Sequence, residues 1–289
     1  MERSVKIGLM FNTDPLSGSE IAAVARRAEQ IGIDTVWVPE LFGREPFVTA
    51  SRLLAVTDTM RIATGIANVY ARDAMATRAA AQTLAEFHDN RFTLGLGVSN
   101  TVGNTARGHA WLPPLQKLDR FFRAMEEAPF MRKWENRVPV YLAAHGPKLM
   151  AFAAERADGA LSYMMTPEYT RRARELLGPD KQMNVVLTCL VCEDRGKALK
   201  IARRAVRIYT ELPNYRRAWS TLGFEPADFE GGGSDELIDT LVAFGSIADV
   251  AARVAEHRSA GADQVVVISL NDTSSLDPDW DMLQTLHNT

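Results

Sequence analysis

Cysteine is scarce in this 289-residue sequence; only Cys189 and Cys192 occur. Their C-x-x-C spacing invites a redox reading. The flanking NVVLTCLVCE, however, reads as a buried strand rather than a turn opening a helix. Residues three apart on a strand point to opposite faces, so the two sulfurs are expected to act as small apolar core groups that do not meet. Long hydrophobic runs are also missing. None reaches the ~18–20 residues that span a bilayer, and MERSVKIGLMFN lacks the apolar region of a signal peptide, so no membrane association and a cytoplasmic location are expected. Basic excess is absent: the net charge of −3 leaves no field for nucleic acid. His88, His109, His145, His257 and His287 show no close ligand spacing, which argues against a metal centre. No G-x-x-x-x-G-K-[ST] supports nucleotide hydrolysis, and no G-x-G-x-x-G follows the first apolar run.

What is present is alternation. Val5–Met10, Thr35–Val38, Met60–Ile66, Phe92–Val98, Val138–Ala143, Gly159–Tyr163, Met183–Val191 and Val265–Leu270 are short, Val/Ile/Leu-rich runs of the kind buried on both faces. Between them lie helical patterns. Ser17-Gly-Ser-Glu20 forms a capping box, followed by Ile21, Val24, Ala25, Ala28 and Ile31 at helical spacing and a stop at Gly32. Further helices are expected at Met75–His88, Leu115–Glu127, Lys148–Arg156, Pro167–Leu177, Gly196–Tyr209 and Val250–Ser259. Eight βα units in this length fit an α/β fold of the (β/α)8 TIM-barrel type, in one domain spanning residues 1–289. One region breaks the rhythm. Leu212–Gly233 reads as long, polar and loop-like, and a helix at Glu236–Phe244 follows it, so a late insertion at about residues 212–245 precedes the last βα unit. A lid, a plain surface excursion and an oligomer contact are all compatible with it.

In such a barrel, ligands bind at the C-terminal ends of the strands. The residues there are Phe11-Asn12, Pro39-Glu40, Ala67-Asn68, Ser99-Asn100, Ala144-His145-Gly146, Met164-Met165, Glu193-Asp194 and Asn271-Asp272. YLAAHGPKLM passes from strand to helix through Gly146-Pro147. Gly146 permits close backbone approach, Pro147 suits the first helical position, and Lys148 adds a positive charge where free N–H groups attract an anion. Water on those donors is the plainer alternative. Gly65 marks a bulge or close approach in the third strand, with Asn68 and Arg72 following as polar groups. Gly95 and Gly97 either leave flat space for a planar ring or ease tight barrel packing.

AEQIGIDTVWVPE, RIATGIANVYAR, LAEFHDNRFTLGLGVS, PVYLAAHGPKLMAFAAERADG and SIADVAARVAEHRSAGADQVVV, taken in order, resemble the luciferase-like superfamily of flavin- and deazaflavin-dependent oxidoreductases, in its coenzyme F420 branch. The resemblance implies a (β/α)8 barrel with a late insertion, and a homodimer. It implies a non-prolyl cis peptide at Gly65-Ile66 that presses on the deazaflavin ring and bows it. Gly65, Ile66, Ala67, Asn68 and Gly97 would then lie by the ring. Ala143, Ala144, His145, Gly146 and Pro147 match a phosphate-binding turn in which His145 stands where another glycine is common, with Lys148 beside it as a further candidate contact. Glu40 matches an acidic position near the ring, but Leu41 replaces the histidine that follows it in some relatives. Asn100 stands where some relatives carry a catalytic glutamate, and no lysine follows the sixth strand.

The expectation is therefore an oxidoreductase that exchanges hydride between F420 and a small organic substrate. Glu40 is the candidate acid/base or ring-orienting group, its carboxyl shifted upward in a partly dry mouth, and Asn100 is a second catalytic candidate. The alternative for Glu40 is a carboxylate hydrogen-bonded to barrel-end backbone. Arg72, Phe11, Met164 and Met165 are candidate substrate contacts, the last three hinting at an apolar substrate unless simply packed. Two other readings stand beside this one: an FMN-dependent monooxygenase, and a cofactor-binding protein without turnover.

Overall fold

The computed structural model describes residues 6–273 and 275–289; Val5, placed by the sequence in the first strand, lies outside them. Strands β1 (Lys6–Met10), β2 (Thr35–Val38), β3 (Arg61–Thr64), β5 (Phe92–Gly97), β6 (Val140–Ala143), β7 (Gly159–Tyr163), β8 (Gln182–Val191) and β10 (Gln264–Ser269) pair in parallel. β10 then pairs with both β8 and β1, which closes the (β/α)8 barrel. All eight expected strands are found. β4 (Ala67–Asn68) continues β3 beyond Gly65-Ile66. Ala63 faces Thr93 on β5, but Ala67 faces Leu96, so the β3–β4 side carries one residue more than its partner. This is the bulge that Gly65 foretold.

Helix α1 (Gly18–Gln30) begins with the expected Ser17–Glu20 capping box. Helices α3 (Ala74–Phe87), α5 (Pro114–Glu127), α6 (Pro147–Arg156), α7 (Pro167–Leu177), α8 (Arg195–Thr210) and α11 (Ile247–Ser259) match the expected ones within a few residues. The sequence reading omits α2 (Pro46–Ala55), the short α4 (Thr101–Ala106), α9 (Pro213–Ser220) and α12 (Trp280–Asn288).

The late insertion departs from expectation. Leu212–Gly233 is no polar loop: it holds α9 and a 3₁₀ stretch within Pro226–Gly232, packed on a buried cluster of Tyr215, Trp219, Phe224 and Phe229. Leu212, Tyr215 and Trp219 recur at helical spacing, masked in sequence by Arg216 and Arg217. The expected helix Glu236–Phe244 is cut short. α10 (Asp235–Leu241) ends where Val242–Gly245 becomes β9, which pairs with Thr188–Val191 of β8. β7 leaves that edge of β8 at Val186, and the open ladder outcompetes helix continuation over an apolar run whose periodicity is ambiguous.

The barrel interior holds Met10, Trp37, Ala63, Leu161, Val186 and Val266, with Tyr141 stacked on Trp37 at 6.1 Å between centroids. Beneath them the Trp37 indole donates to Gln264 Oε1 at 2.9 Å. A larger core lies between strands and helices. Cys189 and Cys192 are free thiols, and they pack in different clusters, Cys189 in that larger core. Burial pushes the Cys189 thiol up to about 12, which suppresses thiolate chemistry.

Candidate active site at the C-terminal mouth of the barrel

Because the strands are parallel, the turns after β3, β5 and β6 open on one rim. The gathering is direct. A Cβ added to Gly97 would sit 2.4 Å from Ile66 Cδ1 and 3.2 Å from Ala143 Cβ. The two stretches singled out in sequence, Thr64–Asn68 and Ala144–Lys148, thus flank one strand end. The Gly65-Ile66 peptide bond is cis, as the resemblance implied.

Glu40 occupies the β2 end of the rim with its side chain 4% exposed. Arg72 holds both carboxylate oxygens, at 2.8 and 3.1 Å, and the Asn68 backbone N–H donates to Oε2 at 2.8 Å. Arg107, just past α4, stands 3.7 Å from Oε1 and donates to the Leu41 carbonyl at 2.8 Å. Glu40 is therefore an ion-paired carboxylate tied to barrel-end backbone. Arg72 also bonds Glu45 at 2.9 Å and lies over the Phe47 ring, so its donors are turned to the rim's own scaffold. Asn68 is buried. Its Nδ2 donates to Asn104 Oδ1 at 2.8 Å, and Asn104 Nδ2 donates to the Val98 carbonyl at 2.7 Å. Asn100 caps α4, its Oδ1 accepting the Gly103 N–H at 2.8 Å.

The glycines of β5 are consumed by packing. A Cβ on Gly95 would lie 1.9 Å from the Thr64 carbonyl oxygen, and the Thr64 hydroxyl bonds both the Gly95 N–H and its carbonyl. The flat space expected at Gly95 and Gly97 is filled by Thr64, Ile66 and Ala143. Phe11, Met164 and Met165 are buried core residues, so the apolar-substrate hint drawn from them is withdrawn. Met164 has a positive φ, and its carbonyl accepts the Trp219 indole N–H at 2.9 Å.

The turn after β6 is built differently. Ala144 is pinned by its N–H to Leu161 and by the Tyr169 hydroxyl on its carbonyl. Gly146 then serves as the N-cap of α6 with no side chain capping it, and Pro147 is the first helical residue. Gly146 has an ordinary negative φ, and a Cβ there would meet nothing within 4 Å. Neither backbone conformation nor protein crowding demands a glycine here. The first-turn N–H groups of α6 have no intrahelical partner and no side-chain cap, and Lys148 is exposed beside them.

His145 is half-buried, and its Nε2 accepts the Tyr163 N–H at 3.3 Å. Burial pushes the imidazole down to about 4, so near neutrality the ring is uncharged with its proton on Nδ1. Its ring packs on Tyr215 in a T-shaped pair with 4.9 Å between centroids, and Tyr215 lies 5.0 Å from Tyr209. Sequence reading missed this aromatic wall and also missed Asn104 and Arg107. The wall residues carry no motif and come from β7, α8 and α9.

A cleft of about 480 Å3 lies elsewhere, between Thr166, Glu236, Asp239, Arg253 and Glu256 on the outside of the barrel. Arg253 lines it and donates to the Thr240 carbonyl, and of the mouth only the turn after β7, at Thr166-Pro167, reaches it. Among the described residues no group of acidic, His or Cys side chains could hold a metal ion, and no helix is long and apolar enough to cross a membrane.

A closed (β/α)8 barrel with an anion-receptive helix terminus at its mouth describes a broad class of small-molecule enzymes. Sequence comparison narrows it: residues 5–264 match the luciferase-like monooxygenase family, and the chain belongs to that family. It is 26% identical to the 5,10-methylenetetrahydromethanopterin reductase of Methanolobus tindarius, across 86% of this chain and 89% of that one. In fold it is similar to the coenzyme F420-dependent tetrahydromethanopterin reductase of Methanopyrus kandleri (TM-score 0.76, 16% identity, 98% and 96% of the two chains). It is similarly close to the FMN-bound oxygenating component of 3,6-diketocamphane monooxygenase from Pseudomonas putida (TM-score 0.75, 13% identity, 98% and 97%).

Proposed function

We propose that this protein is an F420-dependent oxidoreductase acting on a small organic substrate. The observation that carries the proposal is the turn at Gly146: a helix N-terminus with no side-chain cap and open space at its N-cap glycine, on the same rim as the Gly65–Asn68 bulge. Relatives named for F420, a putative coenzyme F420-dependent oxidoreductase of Mycobacterium tuberculosis (24% identical) and an F420-dependent glucose-6-phosphate dehydrogenase of Intrasporangium calvum (26% identical), support the choice of cofactor. When bound, the deazaflavin supplies hydride exchange at its ring carbon.

The chain's own residues do the rest. The first-turn amides of α6 and Lys148 bind the anionic tail. The Gly65–Asn68 segment backs the ring, held by two anchors: the Asn68 N–H on Glu40 and the Asn68 side chain on Asn104. Glu40, neutralised by Arg72, works here as a positioning carboxylate rather than a free proton carrier. His145 keeps the phosphate turn uncharged apart from Lys148, so no second cation is available for a phosphorylated substrate on that side.

Equilibrium fluorescence titrations with F420 and with FMN test the proposal. Saturable F420 binding, tighter than FMN, and oxidation of reduced F420 by a member of an acceptor panel in stopped flow are expected. Tighter FMN binding with oxygen uptake would instead make the protein a monooxygenase. Tight F420 binding without any turnover would make it a cofactor carrier.

A further inference from the structure

The side of the mouth opposite Glu40 carries two phenols that neither cofactor binding nor barrel closure requires. Tyr163 is the last residue of β7, two positions above the interior Leu161, so it points into the barrel mouth. Tyr209 comes from the last turn of α8 and meets Tyr163 edge-on at 5.2 Å. The Tyr163 and Tyr209 hydroxyls interact, and the buried Thr188 hydroxyl also reaches Tyr163. Tyr215 and Trp219 brace the pair from behind, and the Trp219 indole is fixed on the Met164 carbonyl. Both tyrosines remain half-buried, as do Ile66, Tyr141 and Ile268 on the floor of the same mouth.

We infer that Tyr163 and Tyr209 form the substrate-recognition pair, donating a phenol hydrogen bond to the oxygen of a small, neutral carbonyl or hydroxyl compound whose apolar body rests on Ile66, Tyr141 and Ile268. The inference rests on the oxidoreductase reading above and specifies its substrate class. The hydroxyls of Tyr163, Tyr209 and Thr188 own three protons, and a chain of three spends at most two internally, so one proton is left for a further partner. Were packing the only demand, phenylalanine would fill the same volume without desolvating two hydroxyls. Burial holds both phenols above their usual range, so they stay protonated donors across the physiological range. The wall bears no fixed charge: His145 is neutral, and on the far side of the rim the Arg72 and Arg107 charges are matched by Glu40 and Glu45. An uncharged, oxygen-bearing molecule fits that environment better than an anion or a cation.

The test titrates the F420-loaded protein with cyclohexanone and with methylenecyclohexane, its hydrocarbon match, following F420 fluorescence. The wild type is expected to prefer the ketone. Tyr209→Phe should lower ketone affinity about five- to tenfold, the range of one neutral hydrogen bond, while leaving hydrocarbon affinity and F420 affinity within twofold. Tyr163→Phe should act in the same direction, which guards against a folding defect in either variant. Equal wild-type affinity for the two probes, or a ketone preference that both variants retain, overturns the inference with the oxidoreductase reading intact. Failure of the wild type to bind F420 at all overturns that reading instead.

Discussion

Arg72 grips Glu40 through two guanidinium nitrogens, at 2.8 and 3.1 Å, on a carboxylate almost sealed from water. The pair joins the end of β2 to the segment between β4 and α3, and the Asn68 N–H shares the same oxygen. Removing one partner of a buried pair costs far more than the pair is worth, because the other charge is stranded. Arg72→Met should therefore destabilise the protein by about 3 kcal/mol. Glu40→Gln keeps an acceptor for Asn68 and leaves Arg72 its bond to Glu45, so it should cost about 1 kcal/mol. Urea denaturation midpoints give the comparison. A Glu40→Gln loss exceeding that of Arg72→Met would contradict the assignment of Glu40 as the stranded charge.

Two glycines on the rim should respond in opposite ways. Gly95→Ala drives a methyl to 1.9 Å from the Thr64 carbonyl, a backbone atom that cannot step aside, so loss of soluble folded protein is expected. Gly146→Ala meets empty space at a φ that alanine adopts, and its melting temperature should stay within a few degrees of wild type. Its F420 affinity should nonetheless fall about tenfold, because the methyl occupies the approach to the first turn of α6. Thermal melts beside fluorescence titrations separate the two effects.

The barrel was legible because its strands are buried on both faces and announce themselves as runs such as QVVVIS and TVWV. The rim was legible by the rule that ligands sit at strand C-termini, which located Gly146 and the bulge at Gly65. That rule names positions, not side-chain directions. Asn100 turned into a helix cap, Phe11, Met164 and Met165 turned into the core, and nothing in their neighbourhoods distinguishes those outcomes from ligand contact. Tyr209 and Tyr215 reach the mouth only because α8 and α9 fold back over β7, a tertiary event with no local signature. The strand β9 was hidden for a similar reason. Val242-Ala-Phe-Gly245 suits helix or strand until the open edge of β8 is known.

Trp219 ties the insertion to the barrel. It is fully buried, and its indole N–H satisfies the carbonyl of Met164, a residue held at φ 54. Trp219→Ala should cost about 3–5 kcal/mol by cavity formation, and it orphans that carbonyl as well. The stretch at 212–233 should then be cut by trypsin at Arg216 or Arg217 well before the barrel is. Trp219→Phe restores most of the volume but not the donor, so an intermediate loss is expected. Equal protease resistance of wild type and Trp219→Ala would show that the insertion is held by something else.

Acid stability should report on His257, on α11. The ring is fully buried, Nδ1 lies 3.0 Å from the Thr170 hydroxyl, and burial followed by the Arg253 charge pushes it down to about 3. The sign follows from proton counting. Below the ordinary histidine value of about 6.5 the unfolded chain binds a proton that the folded chain refuses, so stability falls as the pH is lowered. The slope from this one group is about 1.4 kcal/mol per pH unit between pH 6.5 and pH 3, and it vanishes above pH 7. His257→Gln keeps a hydrogen-bonding side chain for Thr170 but cannot titrate. Its stability at pH 7.5 should fall by about 1 kcal/mol, while its pH dependence from 6.5 to 4.5 should be shallower than wild type by nearly one proton. Unfolding curves at half-unit pH intervals measure both quantities, and identical slopes for the two proteins would place the responsible proton on another residue.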